Sequence, residues 1–349
     1  MITYLSASLV PAAQSYRQVD SLMRICPAST SVENIAGYIG KHCRSDAAKL
    51  RAAYSWVAQH ISYDLASVKL NPTYKSENDL INKTLKTRKA VCSGYTKTMR
   101  AIAAKFGIEV LEISGYTRQN EKIDEISHAW CAVKIAGKWK IIDPTWSAGF
   151  VADGKYRKKF NDKWFLVEPE QIIRTHMPFD PVWQFSFFPV NHREFYGKKS
   201  ADSITSRFFS YPDTIAIILK MSEKNRLLAA NRRIAAMDGD NPSIERHIAA
   251  NKRVIASIAG NEKVEQYNSA VDIYNQASTL YNSSIKNPQQ STHKLLEADE
   301  KLMEAAKILN QIEQADKELL PSIKKLKESI KTLRSNIKKY CNGQEKYRN

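Results

Sequence analysis

A cysteine, a histidine and an aspartate lie between residues 92 and 143 in the order used by enzymes that have a cysteine nucleophile. Cys92 stands in Val91-Cys92-Ser93-Gly94-Tyr95, His128 opens one apolar run, and Asp143 closes the next. A thiol is a weak nucleophile until a base removes its proton, and an imidazole base needs a carboxylate to fix its tautomer. The residue types and their order therefore indicate a Cys92–His128–Asp143 triad that attacks a carbonyl carbon.

Each of the three residues also has an ordinary structural interpretation. A cysteine is often a small buried hydrophobe, a histidine often a structural hydrogen-bonding group, and Asp143 precedes a proline and can initiate a turn. His176, in a separate segment that ends in Pro178, is the alternative base. The catalytic interpretation depends on the local elements that bring the three residues together.

The residues after Cys92 predict an amphipathic helix with the cysteine in its first turn. Gly107 is typical of the end of such a helix. Unpaired backbone N–H groups in a first turn favour a thiolate. The one-face apolar positions are Tyr95, Met99, Ile102, Ala103 and Phe106. Seven basic residues and no acidic one lie between residues 81 and 105, namely Lys83, Lys86, Arg88, Lys89, Lys97, Arg100 and Lys105.

The runs 128–135 and 138–143 predict a β-hairpin around Ala136-Gly137. With a two-residue loop the paired residue numbers sum to 273, which places Asp143 opposite Trp130. His128 shares a face with Trp130, so His128 and Asp143 become diagonal neighbours, roughly 7–8 Å apart or less between Cβ atoms. A three-residue loop would put the two side chains on opposite faces.

A tetrahedral intermediate carries a charge and needs hydrogen-bond donors to stabilise it. The backbone N–H of Cys92 is the natural first donor. The candidates for the second donor, or for contacts to a substrate, are Tyr63, Asn71, Tyr74, Trp130 and Trp146. The first three are equally well explained as ordinary residues of a connecting loop.

These motifs resemble the transglutaminase-like superfamily, and within it the kyphoscoliosis-peptidase-like branch found in many bacteria. The match covers roughly residues 30–195 and combines several stretches, which are 49–64 with its Ile-x-Tyr-Asp ending, 91–95, 128–130, 143–146, 164–170, 176–178 and 183–184. The family commonly has a glycine shortly before the cysteine, where this chain has Lys89-Ala90-Val91.

The resemblance implies an α+β fold with a papain-like core, in which helices pack on an antiparallel sheet. It implies that Cys92 is the nucleophile, His128 the base and Asp143 the orienting carboxylate. The expected activity is attack on a protein or peptide amide to give a thioester. Water would resolve it in a peptidase or amidase, and an amine would in a cross-linking enzyme. The alternative is a catalytically inactive scaffold or binding protein that uses its helical arm, since fold does not determine function.

The composition, 43% hydrophobic and 26% charged, is that of a folded protein. The length of 349 residues leaves room for a second domain. No run approaches the roughly 20 apolar residues of a transmembrane helix. The net charge of +17 fits an acidic peptide substrate, whereas nucleic acid is not expected because no nucleic-acid motif is present. Five cysteines without metal-ligand spacing predict neither a metal nor a cofactor. A Cys26–Cys43 bridge remains an option.

The predicted organisation is an N-terminal segment over 1–29, a catalytic domain over 30–200 and a helical domain over 201–349. Residues 2–13 faintly resemble a signal-peptide core, so 1–29 is interpreted as a leader remnant, although no basic residue precedes Arg17. Bacterial relatives are often exported. Localisation outside the cytoplasm is therefore expected, with the cytoplasm as the alternative.

The last part of the chain has heptad spacing, which is typical of a coiled coil or a helical bundle. Pro321, close to the polar a-position Asp316, predicts a kink or break. The a positions are Leu295, Leu302, Leu309, Asp316, Ile323, Ile330 and Ile337, and the d positions are Ala298, Ala305, Ile312, Leu319, Leu326, Leu333 and Tyr340. An antiparallel bundle within one chain is the first interpretation, and a homodimer through the arm is the second.

Overall fold

The computed structural model describes residues 12–27, 29–70, 72–197, 208–237, 239, 241–287, 291–313 and 318–346. The chain divides into two compact units, residues 1–249 and 250–349. The helices are α1 (Ala12–Arg24), α2 (Val32–His42), α3 (Asp46–His60), α4 (Leu65–Leu70), α5 (Glu77–Thr87), α6 (Cys92–Ala104), α7 (Pro144–Ala148), α8 (Pro169–Ile172), α9 (His192–Phe195), α10 (Tyr211–Ile218), α11 (Glu223–Ala235), α12 (Pro242–Lys286), α13 (Ser291–Glu313) and α14 (Leu320–Lys346), with a 3-10 turn at Pro181–Gln184. The strands are β1 (Ser62–Tyr63), β2 (Lys89–Ala90), β3 (Val110–Gln119), β4 (Lys122–Ile123), β5 (His128–Ile135), β6 (Lys138–Ile142), β7 (Gly149–Ala152), β8 (Lys155–Lys158) and β9 (His176–Pro178).

The helical side of the first unit is built around α3, whose residues from Leu50 to Ala58 are all buried. Serine side chains cap α3 itself and two neighbouring helices, α2 and α5. Ser31, Ser45 and Ser76 each accept a hydrogen bond from a backbone N–H of the first turn. Helix α6 packs against α3, and its apolar face meets the sheet. It ends before Gly107, which has φ +69°, so the predicted helix and its glycine stop are confirmed.

The sheet of the first unit is antiparallel, with β4, β3, β5 and β6 as neighbours and β9 paired to β3. Ile135 pairs with Lys138 and Cys131 with Ile142, which is the predicted register. Ala136 and Gly137 have φ values of +48° and +79°, as a tight two-residue hairpin turn requires. The α+β fold with helices on an antiparallel sheet is confirmed.

Side chains of β5 alternate between two cores. Cys131 and Val133 face the helical side, whereas Trp130 and Ala132 face a second core. That second core includes Ile215 and Ile218 of α10, and a neighbouring cluster includes Ile234 and Ile244. Residues between 208 and 249 therefore cover the sheet of the first unit.

An ion pair also joins this region to the rest of the first unit. Arg233 of α11 donates to both carboxylate oxygens of buried Asp180, at 2.8 Å and 2.7 Å. The boundary that the sequence places at residue 200 stays a proposal, and the unit boundary at 249 is the competing position.

Helix α1 packs on α3 and contributes Val19 and Met23 to the core. The leader interpretation covers residues 1–29, of which 1–11 and 28 lie outside the described residues, and it stays a prediction. Cys26 and Cys43 are both free and buried. Among the described residues, no helix combines the length and apolarity needed to cross a bilayer.

The second unit is a bundle formed by α12, α13 and α14. The predicted heptad residues from Leu295 to Ile312 and from Ile323 to Ile337 are buried together with Ala270 and Ala277 of α12. Arg334 pairs with Asp299 and Lys301 with Gln276, so successive helices are antiparallel. Asp316 lies outside the described residues. Pro321 stands at the start of α14, and the homodimer alternative stays a prediction.

A chain that ends near residue 249 should fold, whereas one that ends at residue 200 should not. The shorter chain loses Arg233 and leaves the buried Asp180 carboxylate unpaired, which costs about 3–5 kcal/mol, and it exposes the core residues that α10 covers. Cooperative thermal unfolding followed by tryptophan fluorescence checks this, since all six tryptophans precede residue 184. Equal unfolding transitions in the two chains would favour the boundary at 200.

Candidate active site

Cys92 is the first residue of α6, at the point where the chain leaves β2 and enters the helix. The preceding Val91 has extended backbone angles and supplies no side-chain cap to the first turn of α6. Gly94 lets this turn pack closely on α5, because a Cβ there would overlap Ala90 and Thr84. Cys92 is partly exposed. Local packing thus presents its thiol at a helix N-terminus.

His128 and Asp143 meet in the geometry that the hairpin predicts. His128 Nε2 lies 2.8 Å from Asp143 Oδ2. Asp143 follows β6 and caps α7, where its Oδ1 accepts hydrogen bonds from the backbone N–H groups of Thr145 at 2.8 Å and Trp146 at 3.0 Å. Asp143 is completely buried, and the His128 side chain is 10% exposed. The turn at Ala136-Gly137 and the helix cap together fix the carboxylate beside the imidazole.

The charges in this pair reinforce one another. Burial opposes a charge on His128, but the negative charge of Asp143 and its hydrogen bond outweigh burial, and interactions with Cys92 add to them, so the pKa of His128 is raised to about 10. Burial likewise opposes ionisation of Asp143, yet the charge of His128 and the hydrogen bonds from two histidines hold its pKa well below the usual range. His128 uses Nε2 for Asp143, which leaves Nδ1 for Cys92. The arrangement can therefore hold a thiolate–imidazolium pair.

His176 is a second histidine partner of Asp143. Its Nε2 lies 3.1 Å from Oδ2, the same oxygen that faces His128. The sequence points to His176 only as an alternative base, in its own segment. The structure places it on β9, which pairs with β3. A strand of three residues has no periodicity, so sequence reasoning had no signal for this contact.

His128, Asp143 and His176 are also a group that could hold a metal ion, since one ligand atom of each lies within 4.8 Å of the others. In the present geometry both imidazole Nε2–H groups donate to the ionised carboxylate. A metal ion would have to replace both hydrogen bonds and their protons. The described contacts thus fit a hydrogen-bonded network better than a metal centre.

The two tryptophans that the sequence names as candidates, Trp130 and Trp146, both lie beside the histidines. Trp130 is 1% exposed and stacks on His128 with ring centroids 6.0 Å apart, so its burial makes it a packing residue and removes it as a substrate contact. Trp146 is half-buried and lies 5.8 Å from the same ring. Trp146 therefore keeps its place as a candidate substrate contact.

Tyr63 reaches the site through the pairing of β1 with β2, in which it lies opposite Ala90. Burial raises its pKa, and the charges of Cys92 and Asp143 raise it further. This proximity supports Tyr63 as the second donor. Tyr74 lies under the ammonium of Lys83, and Asn71 lies outside the described residues.

The remaining cysteines have different surroundings. Burial raises the pKa of Cys26, Cys43 and, most strongly, Cys131. Cys341 is half-exposed on α14. It is therefore an internal reference for a thiol remote from the triad in sequence.

Several of the basic residues near Cys92 already have acidic partners. Lys97 pairs with Glu77 and Glu112 at 3.3 Å and 3.4 Å, and Arg100 also pairs with Glu77. Lys105 pairs with Glu33 at 2.7 Å. Part of the positive charge read from the sequence is thus neutralised locally.

The comparisons with known proteins agree with this fold. Residues 33–144 match the model of the transglutaminase-like superfamily. Human kyphoscoliosis peptidase is 25% identical over 190 residues, which is 52% of this chain and 28% of that protein. Hillarin of Drosophila melanogaster is 22% identical over 194 residues, covering 48% of this chain and 22% of its own length.

A solved structure described as that of a TGase is 24% identical and covers 46% of this chain and 40% of its own, with a TM-score of 0.27. That score is low, so the assignment rests on the sequence matches. The chain spans less than a third of the length of these two curated relatives. Through residues 33–144, which include Cys92, His128 and Asp143, this chain carries a domain of the transglutaminase-like superfamily.

Proposed function

We propose that the chain is a cysteine-dependent enzyme that acts on protein or peptide amide bonds through a thioester. The observation that carries the proposal is a partly exposed cysteine at a helix start beside an imidazole that a fully buried carboxylate orients and charges. One relative is called a peptidase, which supports hydrolysis as the first reaction to test.

In the proposed reaction the Cys92 thiolate attacks the carbonyl carbon and forms a tetrahedral oxyanion. The Cys92 backbone N–H and the Tyr63 hydroxyl stabilise that charge. The His128 imidazolium donates its proton to the departing amine as the thioester forms. Water or a second amine, deprotonated by His128, then attacks the thioester and releases the acyl group. Asp143 keeps the ring oriented throughout.

Cys92→Ala should abolish all processing of a peptide mixture while leaving the fold intact, because alanine is well tolerated in a first helical turn. Mass spectrometry of the products distinguishes the two possible reactions, since new termini report hydrolysis and Lys–Gln isopeptide bonds report transamidation. Cys341→Ala is the matched control and should keep full activity. A wild-type protein no more active than Cys92→Ala would favour the scaffold alternative, in which the helical arm binds a partner.

Asp143→Asn should lower the pKa of His128 from about 10 to below 6.5, because burial remains while the compensating negative charge is lost. Turnover should fall by about 10⁴, as in an analogous triad. The folded pKa of His128 lies above its unfolded value, so its contribution to stability is full below about pH 6.5 and is lost as the pH rises through about 10. The variant should lack this alkaline loss.

An NMR titration of the His128 ring measures this pKa, and calorimetry at several pH values measures the stability. The titration of His247, whose pKa is lowered by burial, should be the same in both proteins. An unchanged His128 titration in the variant would contradict the pairing with Asp143.

We also propose that the substrate is acidic, since the exposed Lys86 and Lys89 shortly precede Cys92 in the sequence and the net charge is +17. The preference for an acidic over a matched neutral peptide should then fall as salt rises, because the Debye length shrinks from about 10 Å at 0.1 M to about 3 Å at 1 M. Initial rates for the two peptides across this range measure the ratio. A ratio near one at every salt concentration would rule out this preference.

Bacterial origin and localisation outside the cytoplasm stay predictions from the sequence. Kyphoscoliosis peptidase and Hillarin, the two curated relatives named above, are animal proteins. Association of two chains through the helical arm likewise remains a separate proposal, to be tested by sedimentation.

A further inference from the structure

The carboxylate of Asp143 receives four hydrogen bonds, and two of them converge on one oxygen. Backbone N–H groups of Thr145 and Trp146 hold Oδ1 at 2.8 Å and 3.0 Å. Oδ2 is 2.8 Å from His128 Nε2 and 3.1 Å from His176 Nε2. An ionised carboxylate only accepts hydrogen bonds, so each imidazole presents an N–H to Oδ2. His128 and His176 therefore donate to the same oxygen of Asp143.

The position of His176 is fixed by contacts of its backbone and of its ring. Its backbone pairs with Thr117 of β3, and the lack of a side chain at Gly115 lets β9 come this close, because a Cβ would overlap the backbone at Met177 and Pro178. The Thr175 hydroxyl lies 2.8 Å from His176 Nδ1 and can donate to it. The position of His176 is thus determined by both its strand and its ring.

The surroundings of His176 exclude both water and substrate. Its side chain has no exposed surface. The rings of Trp130, Trp146 and Trp164 lie around it, with centroid distances of 5.0, 4.4 and 5.3 Å. Burial is the main cause that lowers the pKa of His176. A neutral, enclosed imidazole with both nitrogens engaged is not placed to deprotonate Cys92.

We propose that His176 is a positioning residue of the triad, whose Nε2–H fixes Asp143 Oδ2 toward His128. This inference rests on the proposed function. It extends the hydrogen bond between His128 and Asp143 to a third side chain, His176. Loss of the His176 donor should leave Oδ2 with one partner and no longer fixed toward His128, so that the charge on the His128 ring is stabilised less well. The thiolate–imidazolium pair would then form only at higher pH.

The test follows alkylation of Cys92 by iodoacetamide against pH in the full chain, with Cys341 in the same molecule as the reference. His176→Phe keeps a ring among the three tryptophans but removes the donor. The acid limb of the Cys92 profile should move up by about one pH unit, with about a tenfold loss of rate on that limb, since a hydrogen bond to a charged group is of that order. His176→Gln can place an amide N–H near Oδ2 and should stay within about twofold of the wild type.

His247→Phe is the matched control, because His247 is a half-buried histidine that stacks on Phe179 close to β9. It should leave the profile unchanged. A purely structural role of His176 would lower the melting temperature of both His176 variants without moving the limb. An unmoved limb in folded His176→Phe, or an equal shift in His176→Gln, would overturn the inference.

Thr175→Val covers the case in which His176→Phe does not fold. It removes the hydroxyl partner of His176 Nδ1 at nearly constant volume and should move the limb in the same direction by a smaller amount. No shift in that variant would also count against the inference. Failure of the proposed function looks different, because wild-type Cys92 would then be alkylated with the same pH dependence as Cys341.

Discussion

The site depends on one buried negative charge. An ionised carboxylate without access to water is very costly unless it is paired and hydrogen-bonded. Asp143 has no exposed surface, yet its pKa is held low because four hydrogen-bond donors surround it, one of which is the charged His128 ring. The surrounding elements supply those donors. Helix α7 offers two backbone N–H groups from its first turn, and β5 and β9 each contribute a histidine.

This requirement explains features that are otherwise unrelated. The tight turn at Ala136-Gly137 sets the register that brings β6, and Asp143 after it, level with the start of β5. Gly115 admits β9, and with it the second imidazole. The tryptophans around the histidines keep water away, and in such a low-dielectric environment hydrogen bonds to the carboxylate are stronger than they would be in water. Together these features keep Asp143 ionised although it is buried. A carboxylate in water would have neither its fixed orientation nor its influence on the pKa of His128.

The sequence predicts the parts of this arrangement that arise from local periodicity. The helix after Cys92, its end before Gly107 and the pairing of Ile135 with Lys138 follow from apolar spacing and turn chemistry. The partnership of His176 with Asp143 does not, because β9 has three residues and joins β3 from more than fifty residues away. The position of Tyr63 beside the site is likewise not predicted by periodicity, since β1 and β2 have two residues each. Such short pairings are selected by tertiary packing and leave no periodic pattern to read.

The region from 208 to 249 shows the same limit from the other direction. Like the later bundle it lacks tryptophan and has few glycines, so composition assigns it to the helical arm. Its helices instead bury Ile215, Ile218 and Ile234 against the rest of the first unit, and Arg233 neutralises Asp180. A helical pattern shows that a face must be buried but not which surface covers it. The heptads from residue 295 onward correctly predict which residues are buried, because those residues pack against one another in neighbouring helices.

The two histidines on Asp143 differ in charge although they bond to the same oxygen. One carboxylate carries a single negative charge and can stabilise only one buried cation well. The charge of His128 disfavours a second one on His176, whose full burial already lowers its pKa. His128 has the further support of Cys92, and its pKa is raised instead. The positive charge therefore settles on the ring beside the cysteine. The His176 ring stays neutral and donates an N–H to Asp143 without competing with His128 for the proton. A thiolate–imidazolium pair at Cys92 requires this difference between the two rings.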